Sequence, residues 1–241
     1  MKKASNQFLG ILFIATIFTS CGTDLLNKVN GNKNVIVKER KTQDNFSGIM
    51  VSAGIDVYIS QGNENTITIE ADENLHDLII TEVSNGVLNI YSDKNIGRAK
   101  AKKVYVTLEN LTLLKATSGS DVFGETTIKT KEISISATSG ADIKIEVEAE
   151  SVETNATSGA DIAVSGITVN HVSNATSGSS IDAYHLKSEN VIANATSAAD
   201  INIYASKKIK AKATSAGAID FKGNPTTVHK KASSGGSVSK D

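Results

Sequence analysis

Four aspartates recur at one position of a repeated six-residue motif, and regularly spaced carboxylates of this kind could bind Ca²⁺. They are Asp121, Asp142, Asp161 and Asp200, with Ser180 at the equivalent place in one copy. Ca²⁺ prefers six to eight oxygen ligands, whereas each copy supplies a single carboxylate. The apolar residue also follows the aspartate immediately, not two residues later as in nine-residue calcium-binding repeats. We therefore favour an interpretation in which each aspartate accepts hydrogen bonds from amides of its own turn, and we predict no metal site.

A threonine follows the motif's alanine in six copies, and this row is a second candidate for chemistry. A flat array of hydroxyl groups can contact a polysaccharide or ice, but threonines on neighbouring strands also stack without any ligand, which is the commoner case. The aspartate and threonine rows are both retained as candidate surface ladders. The threonines are Thr117, Thr138, Thr157, Thr176, Thr196 and Thr214.

No group of residues indicates catalysis. A polysaccharide lyase needs clustered carboxylates for Ca²⁺ and a basic proton acceptor, but Arg40 and Arg98 are the only arginines and neither lies in the regular repeats. Only His171 among the histidines falls where the equivalent residues are apolar, so we expect a buried histidine there and not a ligand. We predict no catalytic residue and no cofactor, with a polysaccharide-active enzyme as the weaker alternative. The other histidines are His76, His185 and His229.

The motif predicts the architecture that positions these rows. A period near 19 residues is too short for helical hairpin repeats of about 33 residues and too long for nine-residue calcium repeats. It suits one coil of an all-β parallel solenoid, built from two short strands and two turns. Equivalent residues of stacked coils then lie ~4.8 Å apart. The motif's alanines are Ala116, Ala137, Ala156, Ala175, Ala195, Ala213 and Ala232.

The alternation of residue types predicts which side chains form the core. With the motif's alanine as position 0, Ile and Val dominate positions −4, +6 and +8. Because strand side chains alternate between faces, the even positions should point inward, including the alanine at 0, the serine at +2 and the small residue at +4. Asn at −1, Thr at +1 and Asp at +5 should face solvent. Glycine at +3 indicates a tight turn, and Ala198 at this position indicates that the turn tolerates a Cβ.

Residues 1–20 are typical of an export signal. Lys2 and Lys3 precede an apolar stretch, residues 8–18, which is too short to span a bilayer. This stretch ends just before Cys21, the only cysteine of the chain. The arrangement resembles a bacterial lipobox, which implies cleavage before Cys21, lipid attachment to its thiol and an outer-membrane location. An ordinary signal peptide is the alternative, and residues 21–33 are predicted to form a tether.

Residues 34–115 are rich in strand patterns but less regular, and we interpret them as wider coils that continue the rod formed by residues 116–241. Within them, GIDVYI at residues 54–59 aligns with GADIKI at residues 140–145. The 241 residues include 25 basic and 26 acidic side chains, for a formal charge of −1. This balance gives no general attraction to nucleic acid, which is not an expected partner.

The sequence SAGIDVYI at residues 52–59, the lipobox and the serial Ser-Gly turns together resemble the auto-transporter adhesin family with a head GIN domain, found in Bacteroidetes-type bacteria. Gly54, Ile55 and Asp56 stand where the family has Gly-Ile-Asn. The resemblance covers about residues 35–228. It implies a right-handed parallel β-helix with tight turns between two main sheets, a role in adhesion, a trimer as the candidate assembly, and no established catalytic residues.

These features together predict a non-enzymatic lipoprotein of the cell envelope. We expect its N-terminal lipid to hold it in the outer membrane, facing the periplasm or the cell exterior, and its rod to bind a protein or a glycan as an adhesin does. The alternative is a structural envelope lipoprotein that assembles with copies of itself.

Overall fold

The computed structural model describes residues 28–41 and 45–241, so the predicted export signal and the predicted lipidation site Cys21 lie outside the described residues. The described chain is nearly all β, with 17 strands and a single 3₁₀ turn at Glu73–Leu75. It forms a β-solenoid of about seven turns with ~19 residues per turn, which confirms the predicted fold class. No helix within the described residues is long and apolar enough to cross a membrane.

The regular coils stack in parallel, with each residue beside its equivalent in the next coil. In one pair of long strands Ile143 lies opposite Ile162, and Ala156 lies opposite Ala175. Buried and exposed side chains alternate along the strand up to the exposed Glu148. The alternation starts again at the buried Val152, where even-numbered instead of odd-numbered residues point inward, and this change marks the second corner of the coil. The strands of this part are β8 (Leu113–Ala116), β9 (Asp121–Gly124), β10 (Ile128–Thr138), β11 (Asp142–Thr157), β12 (Asp161–Thr176), β13 (Ser180–Ala195), β14 (Asp200–Ala213), β15 (Ala218–Lys222), β16 (Thr227–Ala232) and β17 (Ser237–Lys240).

The interior consists of short apolar columns that run along the rod axis. The column at position +6 includes Ile143, Ile162, Ile181 and Ile201, each at most 2% exposed. The predicted interior positions −4, 0, +4, +6 and +8 are confirmed as buried from Ile133 to Phe221, whereas in the last coil Val228 at −4 and Ala232 at 0 are exposed. A single coil cannot bury its own apolar side chains completely, so the coils above and below it cover them.

The chain does not build its N-terminal coils in sequence order. Strands β2 and β3 form a coil on which β8 and β9 stack, with Val51 beside Ala116 and Val57 beside Val122. On the opposite side of that coil, β6 pairs in parallel with β2, and β7 pairs with β3. The predicted alignment of residues 54–59 with the repeat is therefore confirmed. The strands of this part are β1 (Val35–Arg40), β2 (Gly48–Val51), β3 (Asp56–Gln61), β4 (Thr66–Asp72), β5 (Ile79–Ser84), β6 (Val87–Ser92) and β7 (Lys102–Leu108).

Antiparallel pairs attach the remaining N-terminal strands to this first coil. Strand β4 runs antiparallel to both β1 and β7, and β5 forms an antiparallel pair with β6. Residues 28–33, the second half of the predicted tether, are also held to the domain, because the backbone N–H of Val29 donates to the carbonyl oxygen of Asn95 at 2.8 Å.

Asp72 connects three segments of this N-terminal region. Its buried carboxylate accepts hydrogen bonds from the backbone N–H groups of Lys33 at 2.9 Å, Ala101 at 3.0 Å and Lys100 at 3.1 Å. Burial by itself would raise the pKa of Asp72, but these amides outweigh it and hold the pKa below its usual value. The carboxylate therefore stays ionised while it is buried.

We expect Asp72→Asn to lower the free energy of unfolding by about 2 kcal/mol, because the new NH₂ group would face backbone donors that then lack an acceptor. Urea denaturation at neutral pH measures the change. Asp93→Asn is the matched control, since the Asp93 side chain is exposed, and its effect should be within about 0.5 kcal/mol. Equal midpoints for the two variants would contradict the role assigned to Asp72.

Candidate functional site

The repeated motif forms a tight corner in which two successive residues have positive φ. At one corner Ser139 has a φ of 55° and Gly140 a φ of 68°, as in a type I′ turn. The serine at +2 is exposed in all seven copies, so the prediction that it packs inward is wrong: the left-handed backbone takes it out of the strand alternation. The predicted tolerance of a Cβ at +3 is confirmed, because Ala198 and Ala216 have φ values of 58° and 61°.

Backbone carbonyl groups, not aspartate side chains, accept the hydrogen bonds of the N–H groups at the corner. The N–H of Gly140 donates to the carbonyl oxygen of Ser158 at 3.2 Å, and the N–H of Asp142 donates to that of Ser120 at 3.1 Å. These two corner amides therefore pair with the neighbouring coils. The sequence interpretation, in which the aspartate of the same turn accepts such bonds, is wrong for them. The reason is that the coils stack directly, so every corner lies beside acceptors of the next.

The aspartate row is longer than the repeat predicts and is electrostatically unfavourable. Asp56 on β3 adds a further member beside Asp121, and Asp142 lies in register with both Asp121 and Asp161. Burial raises the pKa of Asp142, and the charges of Asp121 and Asp161 raise it further, while an amide of Asp161 lowers it. In the described part of the chain, no three His, Cys, Asp or Glu side chains are grouped so as to hold a metal ion.

We expect Asp142→Asn to raise the free energy of unfolding by about 0.5 kcal/mol at neutral pH, because it removes repulsion from two flanking carboxylates. The gain should shrink with added salt and vanish at a pH where the row is protonated. Asp200→Asn is the matched control: it changes the same position of the motif, but Asp200 lies between Ser180 and Ala218. Thermal melts at low and high salt measure both, and an equal gain at Asp200 would contradict the explanation.

A column of three aromatic rings stands at the N-terminal end of this acidic face. Tyr58 stacks on Tyr105 with ring centroids 5.0 Å apart and on Phe123 at 5.3 Å. The Tyr105 hydroxyl donates to a Glu70 carboxylate oxygen at 2.8 Å, and burial together with this bond raises the pKa of Tyr105 to about 12. The sequence analysis missed the column, although Tyr58 and Phe123 share position +7 of their coils.

The threonine row lies on the other side of the corner, beside a ladder of asparagine amides. Four Thr hydroxyls, those of Thr117, Thr138, Thr157 and Thr176, lie 3.4 Å from the hydroxyl of the serine in their own corner. At position −1, Asn174 Nδ2 donates to Asn155 Oδ1 at 3.0 Å, and Asn194 Nδ2 donates to Asn174 Oδ1 at 2.9 Å. The asparagines were predicted to face solvent, but their mutual hydrogen bonds were not foreseen.

The threonine row and the asparagine ladder form the walls of an open groove of about 410 Å³. Its floor is the line of motif alanines, and its walls carry hydroxyl and amide groups. No charged residue lines this groove. The lining residues are Ser136, Ala137, Thr138, Asn155, Ala156, Thr157, Asn174, Ala175, Thr176, Asn194 and Thr196.

A histidine beside two hydroxyl groups lies inside the rod, where it cannot meet a substrate. His171 is 1% exposed, with Nε2 2.9 Å from Thr154 Oγ1, which in turn donates to Ser173 Oγ at 3.1 Å. Burial lowers the pKa of His171 to about 4, so the ring is neutral at physiological pH. His76 is buried as well, which the sequence had not indicated.

Comparison of the sequence with protein families gives a match over residues 45–225 to the family described as "Putative auto-transporter adhesin, head GIN domain". Among curated proteins, none matches the chain.

Several solved structures have the same fold. A protein from Bacteroides fragilis described as a "putative adhesin" superposes with a TM-score of 0.84 at 20% identity, covering 88% of this chain and 100% of its own. One from Parabacteroides distasonis, a "Putative lipid binding protein", gives a TM-score of 0.71 at 20% identity over 89% and 99% of the two chains. A "putative adhesin" from Parabacteroides merdae gives 0.69 at 21% identity over 89% and 99%. At these identities the likeness shows a shared fold.

Proposed function

Because the chain belongs to the auto-transporter adhesin family with a head GIN domain, we propose that it is a non-enzymatic envelope lipoprotein that binds a protein or a glycan on another surface. The observation that carries this proposal is the pair of long, flat outer faces built from repeated polar rows. Among the described residues, the one close pair of a hydroxyl group and a histidine, Thr154 and His171, is buried, which argues against catalysis at that site.

The proposed attachment is through lipid on Cys21, and the first strand, β1, begins 14 residues later at Val35. A tether this short would keep the rod close to the outer membrane. Mass spectrometry of the mature N-terminus tests the anchor, and an unmodified Cys21 would remove it. Protease treatment of intact cells then distinguishes a rod outside the cell from one in the periplasm.

Binding is tested with the mature chain carrying Cys21→Ser, which removes only the proposed lipid. We expect it to bind defined members of an array of purified glycans and envelope or host proteins. Heat-unfolded protein is the control for non-specific adsorption. If the folded chain binds nothing on a broad array, the adhesin-like role fails.

Self-assembly is the second candidate, and exposed apolar side chains on two neighbouring strands favour it. Ile167, Val169 and Ile192 are 61%, 41% and 45% exposed on the outside of β12 and β13. Exposed apolar patches mark interaction surfaces more often than chance. Size-exclusion chromatography with light scattering should then show a trimer that Ile167→Asp dissociates, whereas a monomer at high concentration would exclude this role.

A further inference from the structure

A group of basic side chains covers one face of the rod near its C-terminal end. Lys208, Lys210 and Lys212 alternate along the outer side of β14. On the adjoining strand β16, His229 lies beside Lys210 and Lys231 beside Lys212. All five side chains are exposed, and we refer to them as the basic patch.

Among the described residues, no ion pair includes a member of this patch. The ion pairs of the described chain join Lys103 to Glu70, Lys129 to Glu148, and Lys207 to Glu189, and so leave the basic patch out. On the preceding strand β13, the positions in register with its lysines are Asn190, Ile192 and Asn194. Like charges on adjacent strands destabilise a sheet, and no ion pair of the described residues offsets them here.

Charge is unevenly distributed over a chain whose formal net charge is only −1, although Glu132 and Glu153 occupy, in earlier coils, the strand positions of Lys208 and Lys210. The carboxylates Asp56, Asp121, Asp142 and Asp161 occupy the face beyond the corner, on the far side of the threonine row. The basic patch thus attracts anions locally although the whole molecule does not.

The groove described above leads directly to this patch. Its asparagine wall continues along the rod into lysines, because Asn194 lies in register with Lys212, and Lys212 with Lys231. A ligand in the groove would meet hydroxyl and amide groups at ~4.8 Å intervals and then two ammonium groups. Regularly spaced hydroxyl groups together with acidic groups are the chemistry of an acidic polysaccharide. A bilayer surface would meet the lysines without using the groove.

We propose that the basic patch and the groove together form a binding site for an acidic polysaccharide, with the lysines pairing with its carboxylate or sulfate groups. The proposal rests on the adhesin-like function proposed above and names its ligand class and its site. Such binding is expected to weaken with ionic strength, because the lysines are exposed to solvent.

Calorimetric titration of the mature Cys21→Ser chain tests the site, with polygalacturonate and dextran sulfate as acidic probes and dextran as the neutral match. We expect binding of at least one acidic probe and none of dextran. The triple variant Lys210→Gln, Lys212→Gln, Lys231→Gln should weaken that binding about tenfold, as expected for three exposed charge contacts. Thr157→Tyr should also weaken it, because it fills the groove without changing the charge.

The control is the double variant Lys144→Gln, Lys222→Gln, which removes two lysines from the opposite face and should leave the affinity unchanged. The site is overturned if neither acidic probe binds, if dextran binds equally, or if both lysine variants lose affinity alike. It is also overturned if Thr157→Tyr has no effect while vesicles containing phosphatidylglycerol bind through the same lysines. A chain that fails with both acidic probes yet binds another array member disproves this inference alone and leaves the proposed function intact.

Discussion

Replacing Gly166 with alanine is expected to lower the free energy of unfolding by about 4 kcal/mol, the largest effect of any single methyl group considered for this rod. Gly166 has a φ of 114°, which side-chain-bearing residues rarely adopt. A Cβ at this position would overlap the carbonyl oxygen of Val147 and lie 2.9 Å from its carbonyl carbon. Both obstacles belong to backbone held in the parallel ladder, so neither can move aside without breaking hydrogen bonds between coils.

The matched control is Gly159→Ala, in the corner that precedes the same strand. Gly159 also has a positive φ, 68°, but an added Cβ there would meet nothing within 4 Å. Two other corners already carry alanine at this position, so the cost should be about 1 kcal/mol. Urea denaturation of both variants measures the difference. Similar losses would show that the close approach between coils does not determine the effect.

Gly166 also illustrates which parts of the fold the sequence could predict. The corner glycines recur with the motif, so their role follows from the repeat. Gly166, which lies opposite Val147 and Leu186, has one equivalent, Gly223, where an added Cβ would likewise overlap a backbone carbonyl oxygen of the preceding coil, that of Ala205. The pairing of β12 with β13 shifts register between Ala163 and Gly166. Glycine at this position in only two coils is a weak periodic signal, and its cause is visible only when the neighbouring backbone is in place.

The core was predictable because one physical rule, alternation along a strand, operates in every coil. The rule failed at Ser139 and its equivalents because two successive left-handed residues interrupt the strand, and residue type alone did not reveal this. The order of the N-terminal strands was not predictable either. The pairing of β2 with β6 joins segments that are distant in sequence, and no copy of the motif marks β6, whereas β8 ends at the first motif alanine, Ala116.

The candidate site was predictable in part for the same reason. The aspartate and threonine rows were visible because each occupies one position of the motif. The hydrogen bonds of the asparagine ladder depend on the spacing of the coils, which the sequence only implies. The basic patch needs two coils to be stacked before Lys212 meets Lys231, although the alternation of Lys208, Lys210 and Lys212 was a readable signal of an exposed basic row.

The buried histidine should make stability depend on pH in a direction fixed by its environment. Burial lowers the pKa of His171 in the folded protein to about 4, from an ordinary value near 6.5 in the unfolded chain. As the pH falls from about 6.5 to 4, the unfolded state therefore binds a proton that the folded state excludes. Stability is fully present above the unfolded pKa and decreases through this window, by about 3 kcal/mol in total, before levelling off.

His171→Val isolates this contribution, because Val152 and Val191 occupy the equivalent positions on the two adjacent coils. The difference in unfolding free energy between wild type and variant should change by about 3 kcal/mol between pH 7 and pH 4, in favour of the variant at low pH. The raised pKa values of the aspartate row act in the opposite direction, but they are common to both proteins and cancel in the difference. His185→Gln, at an exposed site, should leave the pH profile unchanged. Parallel profiles for wild type and His171→Val would mean that the buried ring is not kept neutral by the core.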